Sequence, residues 1–181
     1  MKKIILLIGL STFGLPSWGQ SEKHEFYITA GIGTAPFIIE TLSHLDLFST
    51  EYRRDHVNPV ITVGYQYRIS KKIKIGPEII FDKFWINDKE DNYRFNSYLG
   101  RCDLIWRETK KVVIYSGISA GVTFKKATET FNGILQERNE TYPAMHLYLI
   151  CFDFKLKNFS ITFNQGLGVS GILNLGIKYR L

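Results

Sequence analysis

Residues 60–69 alternate strictly: Ile61, Val63, Tyr65, Tyr67 and Ile69 take every second position, with Val60, Thr62, Gly64, Gln66 and Arg68 between them. A period of two sends successive side chains to opposite faces of an extended strand. The same alternation recurs. Ile73, Ile75, Ile79 and Phe81 are set against Lys74, Gly76, Glu78 and Asp82, and Tyr98, Cys102, Leu104 and Trp106 against Ser97, Arg101, Asp103 and Arg107. The last residues repeat it, with Leu173, Leu175, Ile177, Tyr179 and Leu181 on one face and Asn174, Gly176, Lys178 and Arg180 on the other. A final strand of this kind needs a partner for its open backbone edge, and pairing with the first strand of a closed barrel supplies one.

Eight such segments are expected, at 25–33, 59–69, 73–85, 94–107, 112–124, 143–156, 159–165 and 171–181. Most approach the 9–11 residues with which a tilted strand crosses a bilayer. No amphipathic helix of comparable strength competes with them. Their connections alternate in length. Ser70-Lys71-Lys72, Glu108 to Lys111 and Lys157-Asn158 read as tight polar hairpin turns, whereas 34–58, 86–93 and 125–142 are longer, and the last link is rich in glycine. All the short turns, and both termini, then fall at one end.

The start of the chain reads as an export signal. Lys2 and Lys3 precede the apolar run Ile4 to Leu10, and Ser17-Trp18-Gly19 supplies small residues at a cleavage position, giving a signal peptide at 1–19 and one barrel domain at 20–181. Removing it takes the formal charge from +6 to +4, since 21 basic residues then face 17 acidic ones. No Lys/Arg cluster is dense enough for nucleic acid. With 45% hydrophobic and 14% aromatic residues the chain is too apolar for disorder. Yet no later stretch suits a spanning helix, so any membrane insertion must use strands.

Periodicity does not say which face points inward, and a soluble lipocalin-like barrel with an apolar lumen is the rival arrangement. The polar faces mix Gly, Ser, Thr and Asn with a few opposite charges, which suits a crowded interior better than a solvated exterior. Tyr67, Trp106, Phe159 and Tyr179 lie together near the short-turn end, as in an interfacial aromatic girdle. The expected fold class is therefore all-β, an eight-stranded antiparallel up-and-down transmembrane β-barrel. On this register its lumen holds Arg68, Lys74, Arg101, Arg107, Lys155, Lys178 and Arg180 against Glu78, Asp82, Asp103 and Asp153. That is a plugged, mildly cationic core, because an eight-stranded barrel is only wide enough for side chains to fill.

The ending Gly171 to Leu181 resembles the closing strand of bacterial outer-membrane β-barrel proteins, and Gly31-Ile-Gly33-Thr-Ala-Pro36 and Val63-Gly-Tyr-Gln-Tyr-Arg68 resemble the first strands of small eight-stranded porin-like, OmpX-like barrels. The resemblance implies a Gram-negative outer membrane and a monomer. Its implied partners are lipopolysaccharide, phospholipid and the barrel-assembly machinery, the last reading the C-terminal strand. Leu181 departs from the Phe that usually closes such chains.

Motifs for chemistry are sparse. Gly166-Leu-Gly168-Val-Ser-Gly171 spells a dinucleotide fingerprint without the following helix that the fingerprint needs, so its glycines read as a turn. His24, His44, His56 and His146 form no helical metal pair, and His146 and Tyr148 are expected to face lipid near a rim. Cys102 and Cys151 read as two free thiols. Ser43, His44, Asp46, Ser49, Asp55 and His56 crowd the 34–58 connection, the only setting for a lipid A-modifying enzyme; a narrow channel or small-ligand carrier is the other alternative. The reading adopted assigns no catalytic, cofactor-binding or metal residue and expects a non-enzymatic barrel. Its exposed loops serve envelope integrity, adhesion or partner binding, with 34–58 the expected partner contact.

Overall fold

In the computed structural model the chain is described over residues 23–34, 56–57, 59–86, 91–131 and 134–181. The expected signal segment, most of the 34–58 connection and its residues Ser43, His44, Asp46, Ser49 and Asp55 lie outside these. The strands are β1 (His24–Ile32), β2 (His56–Val57), β3 (Val60–Arg68), β4 (Ile73–Ile86), β5 (Asp91–Glu108), β6 (Val112–Phe131), β7 (Ile134–Leu156), β8 (Phe159–Gly168) and β9 (Leu173–Arg180). β2 is a two-residue rung on β4, opposite Trp85 and Phe84. The other eight close into one antiparallel barrel in up-and-down order, with β4 pairing β5 and β9 pairing β1.

The last strand finds its partner in the first. Glu25 to Ile32 pairs with Arg180 to Leu173, and at the seam the Leu181 amide donates to the His24 carbonyl at 2.9 Å. The short connections sit together at this end as expected. Ile69 to Lys72 joins β3 to β4, Thr109 to Lys111 joins β5 to β6, and Lys157-Asn158 joins β7 to β8 with Lys157 at φ 53°. The glycine-rich stretch is a turn, with Gly168 and Gly171 at φ 132° and 102°, a region that L side chains rarely adopt.

Two expectations about extent are corrected. The segment 125–142 is not a long loop: β6 runs to Phe131 and β7 starts at Ile134, so this pair forms a hairpin standing well beyond its neighbours. The 86–93 connection also shrinks, since β4 reaches Ile86 and pairs there with Asp91. β5, β6 and β7 are 18, 20 and 23 residues long, while β1, β3, β8 and β9 have 8 to 10. The barrel therefore has a low side and a high side, and the high side is a protruding wall.

Candidate functional site: lumen and protruding wall

Inward positions at the short-turn half carry charge. Lys74 donates to Glu25 at 2.7 Å, Arg180 pairs with Glu25 at 3.2 Å, and Lys178 pairs with Asp153 at 3.1 Å. Beside this group, Arg101 pairs with Asp103 at 2.8 Å and Glu78 at 3.5 Å, while the Tyr27 and Tyr148 hydroxyls donate to Glu78 at 2.7 and 2.9 Å. The Arg101 guanidinium lies 3.6 Å from the centre of the Tyr148 ring. Tyr115 lies between the two groups, accepting from Lys178 at 2.9 Å, donating to Asn164 at 2.8 Å and holding its ring centre 5.9 Å from the Arg101 guanidinium. Buried charge is tolerated only when paired and hydrogen-bonded, and these side chains meet that condition on several strands at once. Glu78 Oε1, Arg101 Nη2 and both terminal nitrogens of Arg180 have no hydrogen-bond partner in the protein, although Arg180 Nη2 lies 4.0 Å from Asp153; such sites are the kind that internal water serves. Tyr27 fits because Gly64 lies opposite it: a Cβ there would run into the Tyr27 ring.

Above the charges the lumen carries an apolar cluster beside the hydroxyl pairs Thr62–Ser170 and Ser97–Thr123. Val60, Ile80, Leu99, Ala144 and Val169 come from three strands, β7 and the last turn, touch one another, and are at most 6% exposed. This layer lies across the barrel. Over it Phe84, Tyr93, Phe95 and Ala127 form a second buried cluster, with Phe84 stacked on Tyr93 and Phe95 at 5.4 and 5.5 Å and Tyr142 packed against it. At the opposite end Glu108 closes the mouth by accepting from Arg68 at 2.8 Å and from Lys155.

The outer face is the reverse. Ile75, Leu104, Ile118, Leu147, Ile161, Leu175 and Ile177 are 41–60% exposed and form a belt around the barrel. Below the belt lie Tyr67, Trp106 and Phe159, the last against Tyr179 at 4.9 Å. Above it lie Phe81, Tyr98 and Phe124, the last two edge to face at 5.9 Å. The eleven residues from Ile114 to Phe124 on β6 span about 25 Å of height at the usual barrel tilt, the height of a bilayer's apolar band. Beyond Phe124 the outer positions become Lys126 and Thr128, and opposite them Asn139 and Glu137. Polarity thus inverts along single strands.

Several inferred positions need correcting, for one physical reason. β7 carries a bulge between Tyr148 and Ile150, so Leu149 and Ile150 both face out at 38% and 40% exposure. Counting by twos from Asp153 across it puts His146 and Tyr148 on the lipid face; both point into the lumen and are 1% exposed. A second bulge, between Ile105 and Arg107, turns Arg107 out to the surface. Arg68 and Lys155 line the mouth rather than the interior. The core is also not cationic: Lys74, Arg101, Lys178 and Arg180 face Glu25, Glu78, Asp82, Asp103 and Asp153, four cations against five acids among the described residues. Glu25 went uncounted at the sequence level although its alternation with Phe26 and Ile28 signals an inward position. Asp82 accepts from Thr34 at 2.6 Å near the upper mouth.

Of the histidines, His24 sits on the lower rim with Nδ1 2.6 Å from the Tyr65 hydroxyl, His56 lies on the β2 rung, and His146 Nδ1 accepts from the Ser170 amide at 3.2 Å. These three are on different elements and form no common site. Cys102 is exposed on the belt and Cys151 buried in the lumen, both free. Among the described residues no group of His, Cys, Asp and Glu is arranged to hold a metal ion.

A closed antiparallel barrel of eight strands, apolar outside and charged within, defines a transmembrane β-barrel of the smallest size class. No protein-family model and no curated protein sequence matches the chain. Its fold is that of Ail, the attachment invasion locus protein of Yersinia pestis: the crystal structure superposes with a TM-score of 0.54 at 14% identity, over 89% of this chain and all of that one. Ail in a phospholipid bilayer nanodisc (TM-score 0.46, 13% identity, 89% of this chain and 100% of that chain) and a de novo designed transmembrane β-barrel (0.41, 11%, 90% and 98%) are also similar.

Proposed function

We propose that this protein is a non-enzymatic integral barrel of the bacterial outer membrane. Its lumen is closed, and its protruding β5–β7 wall, with the 34–58 connection, presents a surface for adhesion, partner binding or envelope integrity. The observation that carries this reading is the inversion of polarity along β5, β6 and β7. An apolar exterior with charge inside is stable only against hydrocarbon, and a polar exterior with rings inside only against water. One strand that does both stands in both media. Ail, named for attachment and invasion, is a protein of the same fold, which supports surface attachment as the class of activity.

The layer of Val60, Ile80, Leu99, Ala144 and Val169, together with the paired hydroxyls Thr62–Ser170 and Ser97–Thr123 at the same height, fills the lumen with side chains and argues against the channel reading. Purified protein in planar bilayers is expected to give no stable conductance. The placement is tested by expressing the chain with its signal segment in a Gram-negative host. Recovery in the outer-membrane fraction, with a band whose mobility shifts on boiling, is the expected result. A soluble periplasmic protein refutes the reading. Replacing residues 125–140 with a two-residue turn then tests the wall: the barrel should still shift on boiling while cells lose surface attachment.

A further inference from the structure

The two ends of the barrel differ in charge. On the protruding wall the signs are mixed and paired: Lys126 with Glu137 at 3.0 Å, Arg138 with Glu140 at 2.7 Å, Lys125 with Glu140 at 3.8 Å. At the short-turn end Lys23, Lys71, Lys72, Arg107, Lys110, Lys111 and Lys157 are all exposed, and among the described residues none of the seven is in an ion pair. Among the described residues the exposed side-chain carboxylate at that level is Glu108, and Arg68 and Lys155 already hold it. Every short turn contributes at least one cation. The turns are two to four residues long, so their side chains stay just past Tyr67, Trp106, Phe159 and Tyr179, at the depth where lipid headgroups begin.

We infer that this rim is a binding surface for anionic phospholipid headgroups in the leaflet it meets. The belt next to it already commits that level to lipid, so a phosphate on a glycerolipid is the nearest anion. Lysines on flexible stems gather such phosphates without a built pocket, through the local surface potential. The inference rests on the membrane reading above and adds to it a lipid class and the end of the barrel that gathers it.

The test is electron paramagnetic resonance of spin-labelled phosphatidylglycerol and phosphatidylcholine around the refolded full-length protein in phosphatidylcholine bilayers. Phosphatidylglycerol is expected to associate about threefold more strongly at low salt, and about 0.5 M salt should remove the difference. The variant Lys71→Gln, Lys72→Gln, Lys110→Gln and Lys111→Gln should show equal association of the two lipids, while arginine at the same four positions should keep the preference. Equal association with the wild type, or a preference that survives the glutamines, overturns the inference. Wild type that lacks the preference yet co-sediments with purified peptidoglycan also overturns it, in favour of a cell-wall anion. A boundary signal without preference refutes this inference alone, whereas no boundary signal at all refutes membrane insertion and the inference with it.

Discussion

The lower and upper stretches of β5, β6 and β7 are continuous in sequence and hydrogen bonding yet solve opposite problems. Below Phe124 the outward side chains are Ile118, Ala120 and Val122 while the inward side holds Arg101, Asp103 and Asp153; above it the outward side holds Lys126 while Tyr93 and Phe95 turn in. The pleat is unchanged, and only the surroundings differ. In hydrocarbon a charged group has nowhere to go but inward, where it must be paired. In water the same inward positions are best filled by rings. Where the pattern switches therefore marks the membrane boundary, with Phe81, Tyr98 and Phe124 standing on it.

The comparison breaks most easily at its buried charges. Arg101→Ala leaves Glu78 and Asp103 buried without their shared cation, and should lower stability by about 4 kcal/mol in urea unfolding from lipid vesicles. Phe95→Ala, in the upper cluster, should cost about 3 kcal/mol of local stability. Its effect should stay in the wall, as faster proteolysis of residues 125–140 with the boiling-dependent mobility shift intact. Ile118→Arg puts a charge on the belt and should cost about 2–3 kcal/mol, in proportion to depth. Thr128→Arg, ten residues higher on the same face of the same strand, should change stability by no more than about 0.5 kcal/mol. Equal costs for the last two substitutions, measured in the same vesicles, would mean that both sites see one solvent.

Much of this architecture is legible in the residues, because period-two alternation survives wherever the two faces meet different media. Seven inward charges from the belt region, among them Lys74, Glu78 and Lys178, follow from it directly. What alternation misses are changes of phase. The bulges at Leu149 and Trp106 insert one residue each without any glycine or proline to announce them, and so His146, Tyr148 and Arg107 change sides. The upper hairpin was illegible for a different reason. Lys125, Lys126, Glu129, Glu137, Arg138 and Glu140 give 125–142 the composition of a loop, and strand character there comes from cross-strand pairing that sequence does not display. The six polar residues of the 34–58 connection carry no structural argument for chemistry, since His56 is the one among them within the described residues.

The inversion itself can be measured along β6. With Cys102 and Cys151 changed to alanine, a nitroxide is placed in turn at each even position from 114 to 128 of the protein in vesicles, and its collisions with oxygen and with a water-soluble nickel chelate are compared. Oxygen should dominate from 114 to 122, with the balance crossing near Phe124 and the chelate dominating at 126 and 128. Uniform access by the chelate along the whole strand would contradict the account, because it would place the apolar belt in water.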